Sequence, residues 1–377
     1  MKEKEWRGFA VQSVLLLIVV LVLSVFHPGD IINENYTKVM ADGASVTKDN
    51  KKVQMKEVIQ GYEGPVKTDE AHVKARSSIY IKIPKTDVPT GASIYLIDNY
   101  MKQEIRLVIS GAAGKKIKKE DITRYNRGNK YSGHPGKSKI DIVANISTKY
   151  YITKKKKYRT VLDFEMKHLY APALYETDTG YFISLAEPKD VYDKIIVLDA
   201  GHGGIDEGTS SAKGHHEKDY TLMVLQELKK LMDKTDIKVY YTRLSDQKVT
   251  KAARTELANK LEADIFISIH CNSSEKGDGR AYGIEALYSK RKLLNSRLGN
   301  KKLSKILLDS VAKEVDNKKR GVIRREGLYI MHHSDVPASI IEIGYMSNKS
   351  DLKYILSKSG RKKVAKGIYK GIMEALG

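Results

Sequence analysis

Four residues in the C-terminal half of this chain have the types and the setting needed for metal-assisted chemistry. His202 sits in Leu198-Asp199-Ala200-Gly201-His202-Gly203-Gly204, just past an apolar run that reads as a strand. The glycines around it permit the tight backbone that brings an imidazole close to an ion. His270 closes a second apolar run, Ile265–Ile269, and Glu217 stands 15 residues after His202, just before a helix-period stretch. Two imidazoles and one carboxylate, with a fourth position left for water, are a usual donor set for catalytic zinc. Glu342 is the fourth residue. It interrupts Ala338-Ser339-Ile340-Ile341-Glu342-Ile343-Gly344, and a carboxylate is almost never buried in a core strand without a partner. A cation and a water to act upon would account for it. Singly, each has an ordinary reading: a satisfied histidine, or an acid favouring a helix N-terminus in the case of Glu217. Jointly they predict a zinc-dependent hydrolase.

The elements that must position these residues follow from the pattern after Asp190, where strands and helices alternate. The expected strands are Ile195–Asp199, Val239–Thr242, Ile265–His270, Ile284–Tyr288 and Ser339–Ile343. Asp219 to Met232 predicts a helix with Leu222, Leu225, Leu228 and Met232 on one face. Thr250 caps a second helix carrying Ala253, Leu257 and Leu261. Leu303, Ile306, Leu307 and Val311 mark a third, and a basic helix ends the chain. This order predicts an α/β domain over residues 191–377, doubly wound around a mostly parallel sheet. Such sheets gather their site at the carboxyl ends of the strands, where His202 and His270 fall.

The preceding region is organised differently. Residues 76–190 predict a small all-β domain with short strands at Ile79–Ile83, Ser93–Ile97, Ile105–Ile109, Ile140–Ala144, Val161–Phe164 and Tyr181–Leu185. Residues 28–75 are polar and aperiodic and read as a linker. Residues 1–27 hold Lys2, Lys4 and Arg7 before an apolar run, Phe9–Phe26, of a length at the lower edge of what spans a bilayer. This predicts an N-terminal transmembrane helix with all that follows outside the cytoplasm. A cleaved signal peptide is the rival reading, but small residues suited to cleavage lie far off, at Val39-Met40-Ala41.

The formal net charge of the 377 residues is +21, which favours polyanionic partners. Export turns that charge away from nucleic acid. Residues 115–159 alone hold 12 Lys and 3 Arg against Glu120, Asp121 and Asp141, with Tyr125, Tyr131, Tyr150, Tyr151 and Tyr158 interleaved. Such a segment suits anionic wall polymers, or is simply a solvated loop. Cys271 is the only cysteine, so no intramolecular disulfide supports the fold.

Several stretches match one family in order. They are Leu198-Asp199-Ala200-Gly201-His202-Gly203-Gly204, His216-Glu217-Lys218-Asp219, Arg254 with Ala258-Asn259, Ser268-Ile269-His270-Cys271-Asn272, and Ile341-Glu342-Ile343-Gly344-Tyr345-Met346-Ser347-Asn348. The chain from about Lys194 to Ala375 resembles the zinc-dependent N-acetylmuramoyl-L-alanine amidases of bacterial peptidoglycan. Ala200 stands where that family usually has proline, and Cys271 where it usually has alanine. The resemblance implies one zinc ion on His202, Glu217 and His270, with Glu342 as catalytic acid/base and peptidoglycan as substrate. Only Asn272 to Tyr282 separates the second histidine from the next strand, which leaves little room for the inhibitory helix that some relatives carry there. The β-rich domain is loosely similar to the wall-targeting AMIN domains.

Supporting roles fall to Asp199, Arg254 and Asn272. Asp199 could orient an imidazole or merely end its strand, and Arg254 suits a structural ion pair. Cys271 should point into the core, and His215, His216, His332 and His333 should lie in exposed loops, His332 within possible reach of the cleft. A zinc carboxypeptidase acting on the stem peptide and a non-catalytic wall-binding protein remain as alternatives.

Overall fold

A computed structural model describes residues 60–377, apart from 112–116, 133–134, 136–140, 153–157, 275–278, 292 and 294–297. The expected membrane segment at 9–26 and Lys154 to Lys157 therefore lie outside the described residues. Among the described residues no helix is long and apolar enough to cross a membrane.

The catalytic half is built on one six-stranded sheet. Its order is Lys238–Tyr241, Ile195–Ala200, Ile265–Asn272, Ala338–Tyr345, Ile284–Tyr288, Lys319–Arg324. Neighbours run parallel except Ile284–Tyr288 against Ala338–Tyr345. The strands are apolar on both faces because helices cover both. On one face Ile196, Leu198, Ile267, Ile269, Ile341 and Ile343 pack against Val224, Leu225, Leu228, Leu307, Val311 and Ile368. On the other, Val197, Tyr240, Phe266 and Ile340 meet Leu257, Leu261, Ile330 and Met331. Each such side chain contributes roughly 1.5–3 kcal/mol on burial, so the strand ends are held by a core on each side. The helix at Glu217–Met232 buries Thr221, Val224, Leu225, Leu228 and Met232, whereas Leu222 is only half-buried. A repeat of 3.6 residues places Val224, not Leu222, on the inner stripe.

The preceding part is a pair of sheets. One joins Gln60–Glu63, Ser93–Asn99, Glu104–Gly111, Tyr158–Met166 and Val143–Ile152. The other joins Val66–Lys67, Ala171–Glu176, Gly180–Ala186, Ile79–Pro84, Thr123–Asn126 and Asn129–Tyr131. Ile81, Ile83 and Ile183 of one sheet share a core with Leu107, Leu162 and Phe164 of the other, which is the packing of a sandwich.

Two expectations need correction. The linker expected over 28–75 does not extend that far: strands occupy Gln60–Glu63 and Val66–Lys67, and a helix capped by Asp69 occupies Glu70–Arg76. Edge strands this short carry no visible alternation. The strand expected at Ile140–Ala144 runs instead from Val143 to Ile152. Asp141 breaks the run by turning its carboxylate onto Val143 N, and the polar residues that follow extend because they pair with Tyr158–Met166. Within residues 115–159 two of the described side chains are turned inward. Arg124 is buried against Asp141, with contacts of 2.9–3.1 Å, and Tyr125 stacks on Tyr80.

Tyr100 joins the sandwich to the catalytic sheet. It is fully enclosed, and its hydroxyl donates to Tyr241 O at 2.6 Å while accepting from Tyr241 N at 3.0 Å. Its ring meets Tyr240 edge-on, with centroids 4.9 Å apart. The outermost strand of the catalytic sheet is thereby capped by a side chain from the sandwich.

Candidate metal centre

His202 follows the Ile195–Ala200 strand with a φ of 62°, a left-handed conformation uncommon for any residue with a side chain. Such strain persists only where the surroundings over-determine it. Here two buried arginines do so. Arg243 donates from Nε to Ala200 O at 2.9 Å, and from Nη2 to Gly201 O and Lys218 O at 2.8 Å each. Arg254 donates from Nη1 to Ala200 O at 2.7 Å and from Nη2 to His202 O at 2.6 Å. Arg243 thus ties the turn bearing His202 to the helix that Glu217 opens.

Glu217 is buried at the first position of that helix. Its Oε2 lies 3.3 Å from His202 Nε2 and accepts from Thr209 N at 2.9 Å. Its Oε1 lies 2.9 Å from His270 Nδ1 and accepts from Cys271 N at 2.9 Å. One donor atom from each of His202, Glu217 and His270 falls within 4.8 Å of the others. His202 Nδ1 donates to Asp206 Oδ1 at 2.8 Å, which leaves Nε2 facing the cluster. Burial opposes charge on Glu217, but the hydrogen bonds to His202 and His270 outweigh it and hold the carboxyl below its ordinary range. Burial likewise opposes charge on His202, and Glu217 and Asp206 reverse that, raising its pKa.

This donor set fits a zinc ion: borderline nitrogen donors, one carboxylate and an outer carboxylate orienting an imidazole. The backbone makes room for it. A Cβ on Gly201 would collide with the His270 ring, and one on Gly208 would meet Glu217 Oε2 and the His202 ring.

Glu342 stands beside this cluster. It is in register with His270 on one side and with Glu285 on the other. Its Oε2 is enclosed and has no hydrogen-bond partner among the described residues. Burial pushes the carboxyl up to about 7; Glu217 and Glu285 push the same way, against His270. A carboxylate with a free oxygen and a pKa near neutrality can take up and return a proton.

The supporting residues sit elsewhere than the imidazoles. Asp199 accepts from Ser268 Oγ at 2.5 Å and from Thr242 and Arg254. It pairs in register with Ser268, two residues before His270, so it orients neither imidazole. Burial opposes its ionisation, yet Arg254, Ser268 and Thr242 together keep its carboxyl below the usual range. Arg254 makes that ion pair and also holds the His202 turn. Asn272 donates to Glu285 Oε2 at 3.1 Å. Cys271 is buried in the core. His215 and His216 contact Tyr220 and Ser210 outside the cluster. His332 and His333 occupy a short helix beside Ser289, past the opposite end of the strand from Glu285.

Sequence reasoning missed Asp206, Arg243 and Glu285. Asp206 follows His202 by four residues through a glycine turn, a spacing that could have signalled it; the other two depend on tertiary packing.

Comparisons with known proteins bear on the same half of the chain. Residues 196–374 match the N-acetylmuramoyl-L-alanine amidase family model. The chain is 32% identical over 196 residues to the germination-specific N-acetylmuramoyl-L-alanine amidase of Bacillus subtilis, covering 48% of this chain and 78% of that protein. It belongs to the N-acetylmuramoyl-L-alanine amidase family. It is also 37% identical over 186 residues to the probable cell wall amidase LytH of Staphylococcus saprophyticus, covering 49% of this chain and 59% of that one. A solved N-acetylmuramoyl-L-alanine amidase from Clostridium difficile 630 is 30% identical and covers 48% of this chain and 96% of its own, with a TM-score of 0.45. As a member of this family the chain is a hydrolase, a peptidoglycan amidase.

Proposed function

We propose that this amidase hydrolyses the bond between the lactyl group of N-acetylmuramic acid and L-alanine with one zinc ion on His202, Glu217 and His270. The observation that carries the reading is the convergence of those three donors beside a carboxylate, Glu342, whose Oε2 has no partner. Zinc held there would supply Lewis-acid polarisation of the carbonyl and acidification of water. Glu342 takes a proton from the attacking water and returns it to the departing amine of L-alanine. Asp206 keeps the His202 ring oriented, and Arg243 with Arg254 keeps its turn in place.

The reaction is set outside the cytoplasm, where the cell wall lies, with residues 9–26 as the membrane anchor. The exposed Lys130, Lys149, Tyr151 and Tyr158 of the sandwich contact anionic wall polymers.

The test is digestion of purified wall by the metal-loaded full chain, followed by mass analysis. Release of whole stem peptides, lost on chelation and regained with zinc, is the expected result. Release of single amino acids would point to a carboxypeptidase instead. Full activity after metal removal would overturn the reading.

A further inference from the structure

A row of side-chain positions crosses the catalytic sheet beyond the metal ligands. His270, Glu342 and Glu285 are successive Cα partners on three adjacent strands. Residues directly opposite one another share a face of the sheet. The fourth strand, Lys319–Arg324, continues the row through a bulge: Ile284 pairs with Lys319 but Glu285 with Gly321, so Arg320 is the extra residue. Bulges re-aim side chains and are common beside active sites. Gly321 allows this one with a φ of 146°.

The Arg320 side chain turns back toward the row. Its Nε donates to Glu285 Oε1, its Nη1 lies 3.4 Å from Tyr282 O, and its guanidinium carbon lies 5.1 Å from the Tyr345 ring centroid. Glu285 is buried and also accepts from Tyr345 Oη at 2.7 Å and Asn272 Nδ2 at 3.1 Å. Those contacts fix the guanidinium without covering it: the side chain is 31% exposed. An oriented, half-open guanidinium suits a carboxylate. Strands lie about 4.8 Å apart, so Arg320 falls roughly 10 Å from Glu342, the reach of about three extended residues at ~3.3 Å each.

We infer that Arg320 is a carboxylate-binding residue for the peptide side of the substrate, and that Glu285 is the positioning residue that aims it. The inference rests on the amidase reading. The group in reach is a carboxylate on the peptide side, within about three residues of the scissile amide. The site would favour the free acid.

Two soluble disaccharide–peptide substrates that differ only in that group, acid or amide, test this with the zinc-loaded full chain. The acid should show a KM lower by roughly 10- to 100-fold, as expected for one charge-assisted contact. Arg320→Gln should raise the KM of the acid to that of the amide and leave kcat alone. Arg320→Lys, which keeps charge but not the fork, should recover part of the preference. If Arg320 only pairs with Glu285, its loss would change melting and not discrimination. Equal KM values for wild type, or a preference that survives in Arg320→Gln, would overturn the subsite while leaving amide hydrolysis standing. Cleavage of neither substrate would overturn the amidase reading, and the subsite with it.

Discussion

Glu342 lies directly opposite Glu285 where Ile284–Tyr288 runs antiparallel to Ala338–Tyr345. Two carboxylates side by side, one of them with an unpartnered oxygen, resist sharing full negative charge. Glu285 is relieved by Arg320, Tyr345 and Asn272. Glu342 Oε2 has no such partner among the described residues, and burial takes its carboxyl up to about 7 against the pull of His270.

In chain stripped of metal, that shift makes stability depend on pH. The folded state binds the Glu342 proton more tightly than the unfolded state, so this residue's contribution is present below about 4.5 and is lost as pH rises to about 7. Glu342→Gln should remove that loss, making the metal-free variant more stable than wild type above pH 7 by up to about 3 kcal/mol. Urea unfolding at a series of pH values reads this directly. Parallel pH profiles for the two proteins would show the shift to be absent.

With zinc bound, the same substitution should separate proton transfer from metal binding. Glu342→Gln should keep its zinc and lose roughly 100- to 10,000-fold in rate. His202→Ala should lose zinc and activity together and melt earlier, since a bound metal stabilises the fold. Metal analysis beside turnover distinguishes them, and a Gln variant that has lost zinc would make Glu342 a ligand.

Asp206 holds the His202 ring and also accepts from Gly208 N at 3.3 Å. Asp206→Asn removes the carboxylate that orients the ring and should weaken zinc affinity by roughly 10- to 100-fold, measured by chelator competition. Melting of the metal-free variant should change only slightly, since the Asp206 carboxylate is largely exposed. Undiminished affinity would mean that the two arginines orient the imidazole unaided.

Tyr100→Phe should leave two enclosed backbone groups of Tyr241 without their partner, at a cost of about 1–3 kcal/mol. Turnover at a temperature where the variant is folded should not change. Unaltered unfolding in urea would show that water replaces the hydroxyl.

The catalytic half was legible because its strands are apolar runs ended by residues that have no business in a core. Glu342 within Ile341-Glu342-Ile343 is the plainest case. The alternation of strand and helix also read clearly, since both faces of the sheet are covered and each helix keeps a 3.6-residue stripe. The Lys319–Arg324 strand did not, because an exposed, basic edge strand shows no apolar signal. Asp199 invited a role toward the imidazoles through its nearness in sequence to His202. Its register with Ser268 sends it to Arg254 and Thr242 instead. Glu285 and Arg320 could not be tied to the site without the order of the strands, which folds residues 57 and 22 positions before Glu342 into its own row.

The capping of Tyr241 by Tyr100 bears on where this chain can be cut. A boundary at residues 190 and 191 follows the change of architecture along the sequence, yet severing there would uncover the Tyr240 ring and an unpaired strand edge. An exposed strand edge is a template for pairing with further copies. The fragment 191–377 should therefore associate with itself as its concentration rises, while the chain that keeps Tyr100 should not. In that sense the sandwich shields the enzyme from itself.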